Sequence, residues 1–165
     1  MTATSPAHSP LASPMQDPAG ALPALDALLC FNVYATGLAF NRLYRKPLER
    51  LGLTYPQYLV MVALWHDGEM TVGQLCERLS LDTNTLTPLL KRLEATGLIT
   101  RQRSRADERR VMITLSEAGE AMRASAGDVM RCIGDAIGLE PDVLASLGQG
   151  LERLRANLKA ATGGS

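Results

Sequence analysis

Residues 71–119 read TVGQLCERLSLDTNTLTPLLKRLEATGLITRQRSRADERRVMITLSEAG, and this stretch decides the fold. Thr71 can cap a helix running through Ser80. Asp82 or Thr83 can cap a second, running through Thr96, which Gly97 ends. LITRQR and RVMITLS carry β-branched residues among apolar ones on either side of SRADER, a polar turn. That arrangement predicts a two-stranded hairpin. Two short helices followed by a hairpin with a basic tip make the pattern of a winged helix-turn-helix. Such a unit docks one helix in a DNA major groove. DNA is therefore the first partner to expect.

The second of these helices begins with short polar residues. Thr83, Asn84, Thr85 and Thr87 occupy the end that enters the groove, followed by Lys91 and Arg92. Free N–H groups at that end also favour phosphate. Leu86, Leu89, Leu90 and Leu93 form the opposite, core-facing stripe, and Pro88 sits early in the helix. The hairpin tip carries Arg103, Arg105, Arg109 and Arg110, cations suited to a narrow minor groove. Asp107 is placed to hold the Arg109 guanidinium. The plain alternatives are a solvated Thr-rich helix and an exposed charged turn.

Working outward, the chain has 165 residues, enough for one domain with a real core. Its formal net charge is zero, so total charge points to no nucleic acid. Local charge does. Residues 91–110 hold seven Lys or Arg against three acids, which leaves the remainder at net −4. A basic patch on an acidic body is the footprint of a DNA reader. Three cysteines without paired spacing make no secreted disulfide framework. No apolar run approaches the ~20 residues of a membrane span. The first residues have neither the basic nor the apolar region of a signal peptide. A cytoplasmic protein away from membranes is expected. Five of the nine prolines fall before residue 24, so residues 1–20 are expected to be a disordered tail.

Residues 21–163 are read as a single, mainly α domain, with the winged unit at 54–115. The first helix starts near Asp26 and stops at Gly52, with Pro47 expected to kink or break it. A buried helix from Pro56 to His66 follows, closed by Gly68. Beyond the hairpin, one helix is expected from Ser116 to Ile137, ended by Gly138. A last one opens at Pro141 with Val143, Leu144, Leu147, Leu151, Leu154 and Leu158 at helical spacing. A helix cannot bury a wide apolar stripe alone. Residues 24–52 and 116–161 are thus expected to pair with a second copy. Two-fold symmetry then presents two reading helices to adjacent major grooves.

Cys30 lies near the start of the first helix, where the helix dipole favours a thiolate. Phe31 follows it, and Tyr34, one turn on, shares its face. Tyr44 lies ~21 Å further along at 1.5 Å per residue, beyond reach within one helix. It would meet the Cys30 of a partner packed antiparallel, and Tyr55 could join the same pocket. Phenolic O–H groups donating to a thiolate would lower its pKa. A cysteine on an apolar helix is equally a small buried hydrophobe, and a tyrosine at helical spacing is equally core. Cys76, in QLCERL, is read as a buried structural residue. His8 and His66 have no companions at metal spacing, so no metal or cofactor is expected.

GLITR (97–101), DERR (107–110) and LSEAG (115–119) resemble the signature of the MarR family of transcription regulators, over nearly all the chain after the tail. The resemblance implies a dimeric winged-helix repressor of palindromic operator DNA. It implies Thr83, Thr85 and Thr87 in the major groove and Arg109 in the minor groove. CFNVY (30–34), YRKPL (44–48), LTYPQYL (53–59) and LDTNTLTPLLKRL (81–93) resemble the organic-hydroperoxide-sensing OhrR branch. That implies a sensor role for Cys30, oxidised by organic hydroperoxide to a sulfenic acid. It implies that Tyr44 and Tyr55 bond the thiolate across the dimer, and that oxidation releases the operator. Cys132, on the helix after the wing, resembles the second cysteine of the two-Cys version. There an intersubunit disulfide forms by condensation of sulfenate with thiol.

Two other functions compete. One is a MarR-type repressor answering to a small aromatic or lipophilic ligand, with Cys30 incidental. The other is a thiol peroxidase. Such an enzyme usually stands on a thioredoxin-like sheet, and only one small hairpin is legible, so no enzyme is expected.

Overall fold

The structure, a computed structural model, describes residues 22–103 and 110–163. The expected disordered tail at 1–20 lies outside the described residues. The chain divides into two units, residues 1–43 and 44–165.

In the first unit a short 3-10 helix, Leu25–Ala27, leads into helix α1, Leu29–Glu49, which runs on into the second unit. The Asn32 side-chain amide donates to the Asp26 and Leu28 carbonyls at 2.8 and 3.2 Å, which ties off the helix start. Leu25, Leu29, Val33 and Leu38 are exposed.

The second unit opens with the end of α1. Of the kink or break expected at Pro47, the break does not occur: α1 continues through it to Glu49. A proline inside a helix removes a backbone donor and crowds the carbonyl four residues back, a cost of about 3 kcal/mol that packing must offset. Here it sits between buried Tyr44 and Leu48, within the last turn, so packing holds the segment helical. Gly52, at φ +65°, ends the turn that follows.

Helix α2, Tyr55–Asp67, is entered through Thr54, whose N–H donates to Gln57 Oε1 at 2.8 Å. Tyr58, Val60, Met61 and Leu64 are almost wholly buried. Strand β1, Met70–Thr71, precedes α3, Val72–Leu79. Thr71 caps α3, accepting from the Gln74 N–H at 3.2 Å. Helix α4, Thr83–Ala95, follows a tight turn at Ser80, the one non-glycine residue at positive φ among those described. Its N-cap is Asp82, although the Asp82 side chain makes no capping bond. Leu75, Leu86, Leu90 and Leu93 have at most 1% of their surface exposed. This is the joint core of α2, α3 and α4. Asp67 joins α2 to α3 from outside, accepting from Arg78 Nε at 2.8 Å.

Gly97, at φ +74°, turns the chain into β2, Ile99–Arg103, which pairs antiparallel with β3, Val111–Leu115. The sheet order is β1-β3-β2, with Met70 opposite Ile113 and Arg101 opposite Ile113 on the other side. The hairpin was legible, but the third strand was not. Two residues are too few to show the period-two alternation of a strand.

Ser116 caps α5, Glu117–Ala121, accepting from the Gly119 N–H at 3.0 Å. The single helix expected here is two, because α6 is a separate element, Arg123–Ile137. Met122 between them stays in the right-handed helical region (φ −67°, ψ −18°), so the interruption is slight. Gly119 packs against the strand entry: a Cβ there would lie 2.0 Å from the Leu98 carbonyl oxygen. Its own carbonyl accepts from Trp65 Nε1 at 2.9 Å. Gly119→Ala is therefore expected to cost about 3 kcal/mol, near the top of the usual overpacking range, because backbone rather than a side chain must yield. Chemical denaturation would measure it; a cost below about 1 kcal/mol would contradict the packing described.

The last helix, α7, spans Pro141–Ala161 and buries no residue. Val143, Leu144, Leu147, Leu151 and Leu158 are each between 37% and 57% exposed. Among the described residues no helix is long and apolar enough to cross a membrane.

Candidate nucleic-acid interface and thiol site

Helix α4 turns its leucines inward and its polar residues outward. Thr83, Asn84, Thr85, Lys91 and Arg92 are exposed, while Leu86, Leu90 and Leu93 are buried. Leu89, expected in the core stripe, and Thr87 are half-buried. The Thr87 hydroxyl donates to the Thr83 carbonyl at 2.7 Å, so its proton is spent inside the helix. The helix-turn-helix is held by leucine packing, which leaves the α4 N-terminus and its hydroxyl and amide side chains facing solvent.

Of the wing residues, Arg103 is exposed at the end of β2. Arg105, Asp107 and Arg109 lie outside the described residues. Arg101 differs from the other cations. Its Nη1 lies 3.6 Å from Glu94 Oε2 on α4, and its buried Nε has no hydrogen-bond partner. It ties β2 to α4.

The three cysteines are free thiols. Cys30 is exposed in the first turn of α1, where the sequence put it; Phe31 is half-buried and Tyr34 exposed. Cys132 is exposed on α6, on the wall of a cavity that also holds Lys46 and Arg50. Cys76 corrects the reading. It is half-exposed, not buried, with Sγ 3.7 Å from Thr83 Oγ1 at the start of α4. Leu75 takes the buried position on α3, and the next residue, turned about 100°, cannot share it.

The structure brings Tyr44 and Tyr55 together. Their rings stack with centroids 4.5 Å apart, and Tyr58 stands 5.7 Å from Tyr44. The Tyr44 hydroxyl donates to Met130 Sδ at 3.7 Å. Tyr58 continues to Trp65, edge to face at 6.3 Å. Sequence reasoning missed Tyr58 as a member of this cluster, although it stands one turn from Tyr55. Burial, and then the neighbouring phenols Tyr55 and Tyr58, push the Tyr44 pKa up to about 12. Burial also raises Tyr55 and Tyr58. All three are therefore neutral O–H donors at physiological pH, able to meet an anion but not to become one.

A polar-faced helix packed on two others, beside a hairpin that carries cations, is the architecture of the winged helix-turn-helix class of DNA-binding proteins. Comparison with known proteins agrees. A family model described as "Transcriptional regulator SarA/Rot" matches residues 42–124. The HTH-type transcriptional regulator TtmR of Methylorubrum extorquens is 43% identical over 140 residues, covering 85% of this chain and 72% of that protein. The organic hydroperoxide resistance transcriptional regulator of Bacillus subtilis is 46% identical over 105 residues, covering 64% and 71%. Among solved structures, AbfR of Staphylococcus epidermidis matches with a TM-score of 0.71 at 35% identity, covering 79% of this chain and 90% of that one. AbfR is also known reduced and bound to DNA, and in a disulfide-formed state, with TM-scores of 0.67 and 0.59. The chain belongs to the SarA/Rot and MarR family of winged-helix transcriptional regulators.

Proposed function

We propose that this regulator is a homodimeric repressor of palindromic operator DNA that senses organic hydroperoxides through Cys30. Thr83, Asn84, Thr85, Thr87, Lys91 and Arg92 face the major groove, while Arg103, Arg105 and Arg109, with Asp107 bracing Arg109, serve the minor groove. Cys30 of one subunit meets Tyr44 and Tyr55 of the other, beside its own Phe31 and Tyr34. Peroxide oxidises the thiolate to a sulfenic acid, releasing the alcohol. Cys132 of the partner condenses with it, releasing water and forming an intersubunit disulfide. Drawing the two sulfurs together pulls Cys30 from the tyrosines and shifts the population of DNA-competent dimers. The regulator would work in the cytoplasm, where thiols are kept reduced.

The observation that carries this reading is the stacked Tyr44–Tyr55 pair, with phenols held neutral by burial. Neutral donors stabilise a thiolate, the nucleophile that attacks peroxide. The exposed thiols of Cys30 and Cys132 also support it, since both are open to a second chain. A hydrogen bond to a charged group is worth about 1.5–3 kcal/mol. Tyr44→Phe with Tyr55→Phe is thus expected to raise the hydroperoxide dose for half-release of operator by about tenfold, leaving reduced DNA affinity intact. An unchanged dose would remove the tyrosines from the sensor.

A further inference from the structure

A cavity of about 410 Å³ opens between the end of α1 and helix α6. Lys46 and Arg50 stand on one wall, Pro47, Leu51 and Val129 supply the apolar surface, and Cys132 lies in the other wall. Its size suits a small molecule. Its charge is unbalanced. Among the described residues neither Lys46 nor Arg50 makes an ion pair, and the one carboxylate in the lining, Asp128, is taken by Arg131. The proposed switch uses Cys132 as a thiol but has no use for these two cations.

We propose that this cavity is a binding site for small carboxylate-bearing disulfides, and that Cys132 undergoes charge-selective exchange with them. The two cations raise the local concentration of an anionic disulfide and hold its carboxylates, which leaves its sulfurs facing the Cys132 wall. The Cys132 thiolate attacks one sulfur of the symmetrical disulfide, whose S–S bond breaks as the new one forms. The other half leaves as a thiolate and takes up the proton that Cys132 gave to solvent. Cys132 is oxidised to a mixed disulfide, and one equivalent of small thiol is released. If the switch proposed above operates, this cap removes its resolving thiol; the exchange itself does not depend on Cys30.

Cys76 supplies an internal reference. Its own cavity holds Glu77 and Asp82 against Lys159, the opposite balance. Full-length Cys30→Ser protein would be treated at low salt with glutathione disulfide (anionic) or cystamine (cationic), and both cysteines followed by peptide mass spectrometry. The anionic-to-cationic rate ratio is expected to be about tenfold higher at Cys132 than at Cys76, and to shrink with added salt. Lys46→Gln with Arg50→Gln should bring the two ratios together, and K46E with R50E should invert them. Equal ratios at Cys132 and Cys76, a ratio that ignores the Lys46 and Arg50 substitutions, or no exchange at Cys132 would each overturn the proposal. Because Cys30 is absent from the test, failure here leaves the peroxide reading standing.

Discussion

Cys30→Ser protein is expected to hold its operator through a stoichiometric dose of organic hydroperoxide that displaces the wild type. Serine keeps the size and shape of cysteine, and position 30 is exposed, so the substitution opens no cavity and leaves folding and reduced-state DNA affinity unchanged. What it removes is the sulfur. A hydroxyl cannot be oxidised to a sulfenic acid, so the first covalent step is lost outright, not slowed. Allosteric coupling of about 1–3 kcal/mol corresponds to a 5- to 150-fold fall in wild-type affinity on oxidation. The variant should show none of it. If Cys30→Ser protein still released DNA on peroxide treatment, another group would be the sensor. If it responded instead to a small aromatic or lipophilic acid, the ligand-binding alternative would take its place.

The second large effect concerns α7. Its Leu147 and Leu151 are about half-exposed, one turn apart in a stripe that the described residues leave unburied. Leu147→Asp with Leu151→Asp puts two carboxylates on that stripe. They cost little at half-exposed positions of a monomer and are strongly unfavourable in an apolar interface. The protein is expected to become monomeric with its helix content intact. Operator affinity should fall by about 10²-fold or more, because two linked half-site contacts become one. Light scattering and anisotropy on the same samples would measure both. A variant that stayed dimeric, or a monomer that bound as tightly as the wild type, would place the DNA-competent assembly elsewhere.

Much of the fold was legible because its boundaries are set by local chemistry. Thr71 and Ser116 cap helices through their own hydroxyls, and Gly97 and Gly138 end helices at positive φ, where other residues are strained. Leu86, Leu90 and Leu93 declare the buried face of α4 by spacing alone. The misreadings came from packing between distant residues. Pro47 stays helical because Tyr44 and Leu48 are buried around it, and β1 exists only because β3 pairs with it. The usual pattern of such helices buries the residue at position 76, yet here the neighbouring Leu75 fills the core position. The stacking of Tyr44 on Tyr55 depends on the turn between α1 and α2, which spacing could not supply. The α4 half of the proposed DNA face was readable. Arg101 was not, since only the structure separates a cation bound to Glu94 from the exposed Arg103.

In the proposed switch, oxidation at Cys30 is converted into an intersubunit disulfide with Cys132 that releases DNA. The most direct measurement follows anisotropy of a labelled palindromic operator as the reduced dimer receives one equivalent of cumene hydroperoxide. The same samples are taken for non-reducing gels and disulfide mapping. Binding should be lost in step with formation of a Cys30–Cys132 crosslinked dimer, and dithiothreitol should reverse both. Operator that stays bound while the crosslink forms, or is released with no crosslink, would contradict it.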